Sequence, residues 1–124
     1  MVVLPRHCLI STTLAREHEV VKQVASVLDE TSSPKHSTLA VFMLMDRTNP
    51  ESRFQPYYAS LPTSAPTPLA WLGDEEKMSW LEGSVLPSEL HQRRIARAAD
   101  WEALCEAAPS LCEAATLEDF LLFR

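Results

Sequence analysis

Glycine is nearly missing from this 124-residue sequence: only Gly73 and Gly83 occur, where average usage of about 7% would give roughly nine. Two glycines so placed cannot write GxGxxG, GxxxxGK[ST] or GxSxG, so the Gly-rich phosphate cradles and the strand-to-helix nucleophile elbow are excluded. Basic charge is scarce too. Eleven Lys+Arg stand against 17 Asp+Glu, a net charge of −6, which argues against a nucleic-acid surface. No run approaches the ~18 apolar residues of a membrane span. Pro5, Arg6 and His7 interrupt the start before a secretory apolar core can form. The three cysteines, Cys8, Cys105 and Cys112, are odd in number and lack CxxC spacing. Neither a disulfide framework nor a zinc knuckle is indicated, and a reduced intracellular compartment fits best.

What is present is an ordinary globular balance, 46% hydrophobic and 23% charged, enough to bury one core. Met1 to Leu4 reads as the end of a strand stopped by Pro5. Ser11 to Thr13 offer N-cap oxygens, and Glu17 an acidic first turn, for a helix whose stripe is Val20, Val21, Val24, Val27 and Leu28. A second helix begins near His36. All seven residues from Leu39 to Met45 are apolar, so this helix should be buried on most sides, and Asn49-Pro50 ends it. Ser52 can cap a brief helix through Phe54, Tyr57 and Tyr58, with Pro56 in its first turns.

Leu61 to Pro68 carries three prolines and reads as an ordered, extended loop. Asp74, Glu75 and Glu76 suit a helix N-terminus, with Met78, Trp80 and Leu81 to bury and Gly83 to end it. Pro87 opens the longest helix, through Leu90, Ile95, Ala98, Trp101, Leu104 and Cys105 to about Ala108, and Pro109 stops it. Thr116 with Asp119 forms a capping-box variant before the apolar run Phe120 to Phe123, which has no visible partner in the sequence. The strand and this last helix both read as cut ends.

Few residues carry chemistry. His7 beside Cys8 reads as a turn residue next to a buried thiol, because no further soft ligand is spaced to close a metal site. Cys105 and Cys112 read as buried small hydrophobes separated by Pro109. His18 and His91 read as surface histidines, and Asp74 to Glu76 as a first turn complementing the helix dipole. Arg93, Arg94 and Arg97, flanked by Glu89, Asp100 and Glu102, read as a solvated helix face. The aromatics Phe54, Tyr57, Tyr58, Trp71 and Trp80 are the most distinctive local feature. Core packing is the first account of them, and a partner groove the alternative.

The same stretch carries a resemblance. Asn49-Pro50-Glu51-Ser52-Arg53-Phe54-Gln55-Pro56-Tyr57, then Ser60-Leu61-Pro62, then Thr67-Pro68-Leu69-Ala70-Trp71, then Leu81-Glu82-Gly83-Ser84 follow one another in an order that resembles the helical insert of SET-domain methyltransferases of the Rubisco large-subunit methyltransferase-like class. Upstream, Leu4-Pro5-Arg6 with Leu9-Ile10-Ser11 is similar to the strand and turn before that insert. Downstream, Leu117-Glu118-Asp119-Phe120 is similar to the helix that returns to the catalytic core. Phe54 stands where the family usually has Trp, and Leu122-Phe123 where it has Trp-Ala.

The resemblance implies a mainly α chain: the helical insert of an α+β SET domain, with at most a short N-terminal strand. It divides residues 1–124 into a strand end (1–6), the insert (12–108) and the start of the returning helix (116–124). It also implies that the parent transfers a methyl group from S-adenosylmethionine to a lysine or related side chain of a protein substrate. The family's Gly-containing cofactor turn, last-helix Arg, Asn-His pair and late catalytic Tyr have no counterpart here; Arg124 comes about two turns too early to be that Arg. No catalytic, cofactor-binding or metal-ligating residue is therefore assigned. Methyl transfer depends on holding the sulfonium methyl and a neutral nitrogen in line, so this chain alone should be inactive and bind no cofactor. The expected partners are the remainder of a SET domain and a protein substrate, with no nucleic acid and no membrane. The alternative from another class is a non-enzymatic helical protein-interaction module.

Overall fold

The computed structural model describes residues 5–62 and 75–123, which are helical and turn segments with no strand among them. A 3-10 turn at Arg6–Cys8 leads to α1 (Thr12–Ala15), α2 (Glu19–Gln23) and α3 (Ala25–Glu30). Then come α4 (Pro34–Asp46), α5 (Gln55–Ser60), α6 (Glu75–Ser79), α7 (Leu86–Ala107), α8 (Pro109–Ala114) and α9 (Leu117–Phe123). The proposed strand residues Met1 to Leu4 lie outside the described residues; Arg6 already belongs to the 3-10 turn.

The axis of the fold is α4. Its run from Leu39 to Met45 has no polar face, and a helix apolar on all sides is stable only when surrounded. Helices α1, α2, α3, α8 and α9 all pack against it, and Ala40, Val41 and Leu44 are fully buried. Above it, α7 packs on α3, α8 and α9, and the rings of Trp101 and Phe120 lie 5.2 Å apart. Three polar residues, Thr31, Ser37 and Thr38, are buried at and just before the start of α4. The Thr31 hydroxyl donates to the Leu28 carbonyl (2.8 Å) and can accept from the Ser37 hydroxyl, 3.0 Å away, whereas the Thr38 hydroxyl is buried without a protein partner. An unpaired buried hydroxyl costs about 1–3 kcal/mol.

The N-terminal helix predicted after Ser11 is broken into three. Ser11 Oγ does accept the Leu14 amide (3.2 Å) as an N-cap, but α1 ends at Ala15 and the first acidic turn residue belongs to Glu19 of α2, not to Glu17. β-Branched valines lower the helical preference that would have bridged the breaks. The predicted stripe survives as a packing surface: Val21, Val24 and Leu28 are buried, with Val20 and Val27 against them.

Other boundaries fall near their signals. The end of α4 at Asp46 comes before Asn49-Pro50. Gly83 has φ +80° in the turns that follow α6, the left-handed conformation that favours glycine. Proline sits in the first turns of both α7 and α8. The Thr116–Asp119 capping box forms in both directions: Asp119 Oδ2 accepts the Thr116 amide (3.0 Å), and Thr116 Oγ1 accepts the Asp119 amide (3.2 Å). Two predicted core residues are instead on the surface, Ile95 (70% exposed) and Trp80 (67%). Helix α7 is too long for its stripe to be covered throughout by the short helices beside it, and α6 buries no residue. The last helix does have a partner. Phe120 is fully buried, and Phe123 packs against the core.

Candidate groove at Met43 and Tyr57

Two apolar concavities, of about 360 and 260 Å³, share Met43 and Tyr57 as a common wall. The first is completed by Cys8, Leu9, Ile10, Leu39 and Phe54, and the second by Leu61, Pro62, Leu122 and Phe123. Their walls come from four places in the sequence: the segment after the 3-10 turn, the outer side of α4, α5 with the residues after it, and the end of α9. Leu39 and Met43 lie four apart on α4 and so share a face.

A polar brace behind the groove holds α5 against the end of α4. Asp46 Oδ2 accepts the Tyr58 hydroxyl at 2.7 Å and the Ser52 hydroxyl at 2.5 Å, while Ser52 Oγ accepts the Phe54 amide at 3.1 Å. The Gln55 amide nitrogen donates to the carbonyls of Arg47 (3.0 Å) and Asn49 (2.6 Å). With Tyr58 tied back to Asp46, its neighbour Tyr57 is turned outward and is 47% exposed. Burial, reinforced by the Asp46 hydrogen bond and charge, pushes the Tyr58 phenol well above the ordinary tyrosine range. It therefore serves as a neutral donor.

A second brace fixes α9. Arg47 pairs with Asp119 at 2.7 Å, and the Arg47 guanidinium lies 5.3 Å from the Phe123 ring centroid. Partial burial alone would raise the Asp119 carboxyl. Hydrogen bonds from Arg47 and from the Thr116 hydroxyl and amide outweigh it and hold Asp119 below the usual carboxylate range. On the opposite wall, Phe54 is buried edge-on to Phe42, 6.4 Å between centroids, with the Arg53 guanidinium 4.9 Å from its ring.

The aromatic cluster is thus divided. Phe54 is core and Tyr58 brace, Tyr57 is groove wall, Trp80 lines neither concavity, and Trp71 lies outside the described residues. Other sequence readings need correction. Cys8 is an exposed free thiol at the groove rim, because the 3-10 turn directs it outward. His18 is half-buried, with its ring edge-on to Phe42 at 5.8 Å and Nδ1 enclosed without a partner. His91 is on the surface, and Glu75 and Glu76 form the first turn of α6; Asp74 lies outside the described residues. Cys105 and Cys112 are not buried small hydrophobes: Cys105 is half-buried, Cys112 is exposed, and the two form a disulfide. With two of three thiols paired, cysteine usage no longer argues for a reducing compartment.

Comparison of the chain with protein-family models, characterised proteins and solved structures returns no match. Among the described residues, no group of three or more His, Cys, Asp or Glu side chains is placed to hold a metal ion, and no helix is long and apolar enough to cross a membrane. The groove's chemistry is that of aliphatic, thioether and aromatic walls. Such walls take an apolar segment of protein and leave a strongly polar ligand unpaired.

Proposed function

We propose that this chain is the helical part of a SET-type protein methyltransferase, whose parent transfers a methyl group from S-adenosylmethionine to a lysine or related side chain of a protein. The observation that supports this reading is one of convergence. Three of the segments that carry the resemblance supply Leu9 and Ile10, Phe54 and Tyr57, and Leu61 and Pro62 to two adjoining concavities, which Leu122 and Phe123 at the end of α9 complete. The groove is the surface through which this part engages the rest of such an enzyme. It does not fit the cofactor itself: a sulfonium, an ammonium and a carboxylate would find no charged side chain in its lining.

Two measurements test the proposal. Titration calorimetry of this chain with S-adenosylmethionine should show no binding tighter than about 10 μM, roughly 7 kcal/mol. The product of the continuous reading frame around this chain should transfer label from S-adenosylmethionine to a protein side chain. A frame product without that transfer defeats the reading.

A second reading, a non-enzymatic helical interaction module, is favoured by a different observation. The helices enclose their own core, with Val24, Leu28, Leu44, Leu104, Leu111 and Phe120 all at 1% exposure or less. A module of that kind should unfold cooperatively and bind an apolar protein segment with no methyl transfer in any context.

A further inference from the structure

We infer that the apolar groove at Met43 and Tyr57 takes an acidic segment of protein, one that seats an apolar side chain in each concavity and sets a carboxylate beside Arg53. This rests on the groove being the interface to the rest of the enzyme, and the segment then belongs to that remainder.

Charge around the groove runs against that of the chain. The sequence has a net charge of −6, yet cations edge the groove. On α4, Leu39 and Met43 belong to a row at four-residue spacing that begins with Lys35 and ends with Arg47 at the C-cap, and residues so spaced share a face. Each concavity also has a ring set against a guanidinium: Arg47 is 5.3 Å from the Phe123 ring centroid, and Arg53 is 4.9 Å from that of Phe54. No acidic side chain lines either concavity.

Two carboxylates close to the groove are engaged within the chain. Asp119 pairs with Arg47 at 2.7 Å, and Asp46 accepts the Tyr58 and Ser52 hydroxyls. Arg53 and Lys35, by contrast, are exposed and pair with no carboxylate among the described residues. Glu51, close by in the sequence, makes no ion pair with Arg53. Contact with the Phe54 ring steadies the Arg53 guanidinium and consumes none of its N–H donors. A partner carboxylate set there gains charge-assisted hydrogen bonds at the margin of an apolar surface, whereas a partner lysine meets like charge. Apolar contact thus supplies affinity, and Arg53 decides which segment is accepted.

The test uses the whole chain and two short fluorescein-labelled peptides with leucines four positions apart. The peptides are identical except that one carries glutamates and the other lysines between the leucines, and binding is followed by fluorescence anisotropy. A chain of net negative charge attracts the lysine peptide non-specifically, so a preference for the glutamate peptide has a local origin. The glutamate peptide should bind about tenfold more tightly at low salt, and the gap should narrow as salt is raised. Arg53→Gln should close the gap, Lys22→Gln on α2 should leave it open, and Met43→Gln with Leu122→Gln should weaken both peptides. Thermal unfolding of each variant confirms that it remains folded. Saturable binding without preference, or a preference that survives Arg53→Gln, would overturn the inference and leave the groove as an interface. Absence of saturable binding by either peptide, or binding indifferent to the groove variant, would overturn both.

Discussion

Cys105 and Cys112 are bonded to each other across the corner where α7 gives way to α8, with their Cα atoms 5.5 Å apart. The corner lies at Ala108 and Pro109, and the Ala107 carbonyl on its inner side accepts the Gln23 side-chain amide at 3.1 Å. The disulfide thus closes a short loop that contains the core residues Ala108 and Leu111.

Reduction of that bond should destabilise the fold. Closing a loop with a sequence separation of 7 is worth about 2.5 kcal/mol in the chain-entropy account. The expected loss on adding a dithiol, or in Cys112→Ser, is therefore a fall in Tm of roughly 5 to 15 °C. Alkylation without reductant should label Cys8 alone. Identical melting curves with and without reductant, together with three reactive thiols, would contradict the pairing.

This corner shows where sequence reading stops. A spacing of seven puts two residues on one helix face only if the helix continues, and Pro109 was rightly a reason to expect that it does not. The chain instead restarts a helix at the proline and folds back. The two thiols meet through tertiary geometry that no local signal records. The central helix is the opposite case, because seven consecutive apolar residues require neighbours whatever the fold. The groove was half legible. Phe54, Tyr57 and Tyr58 stand out as a cluster, but their separate roles depend on Asp46, which the sequence does not mark as a brace. Phe120 was misjudged for the same reason: its partners, Trp101 and α4, are distant in the chain.

Asp119 should make stability depend on pH at the acid end. Its folded pKa lies below the ordinary carboxylate value, about 3.9 in the unfolded chain, so the stabilisation is present above that value. It is lost as pH falls through the folded pKa. Asp119→Asn removes the Arg47 ion pair and weakens the cap of α9, at a cost of about 1 to 2 kcal/mol near neutral pH. Denaturant midpoints from pH 7 to pH 2 check this. The variant should show a shallower acid slope than the parent; parallel curves would mean that Asp119 titrates alike in both states.

Tyr58 should act at the alkaline end. A phenol whose folded pKa is raised contributes stability that is fully present below the unfolded value, about 10. That stability is lost as pH rises above it, because the unfolded chain releases the proton first. Tyr58→Phe deletes the 2.7 Å bond to Asp46 and should cost about 1 kcal/mol at pH 7. It should also flatten the decline in stability above pH 10. An alkaline decline as steep in the variant as in the parent would place its origin elsewhere.

The groove should bind hydrophobic dye without being a weak point of the fold. The sequence shows no partner for the apolar run Phe120 to Phe123. The structure separates these residues: Phe120 is enclosed, while Leu122 and Phe123 turn their outer sides to the groove with Met43 and Tyr57. Apolar surface left in water forgoes about 25 cal/mol per Å², so an apolar probe gains by entering; of the lining residues, Met43 also packs against the core. Met43→Gln with Leu122→Gln should cut dye fluorescence several-fold and leave cooperative unfolding in place, with Tm lowered by the packing that Met43 gives up. Undiminished dye binding in that variant would locate the sticky surface outside the groove, and loss of cooperative unfolding would show that Met43 and Leu122 are core residues in solution.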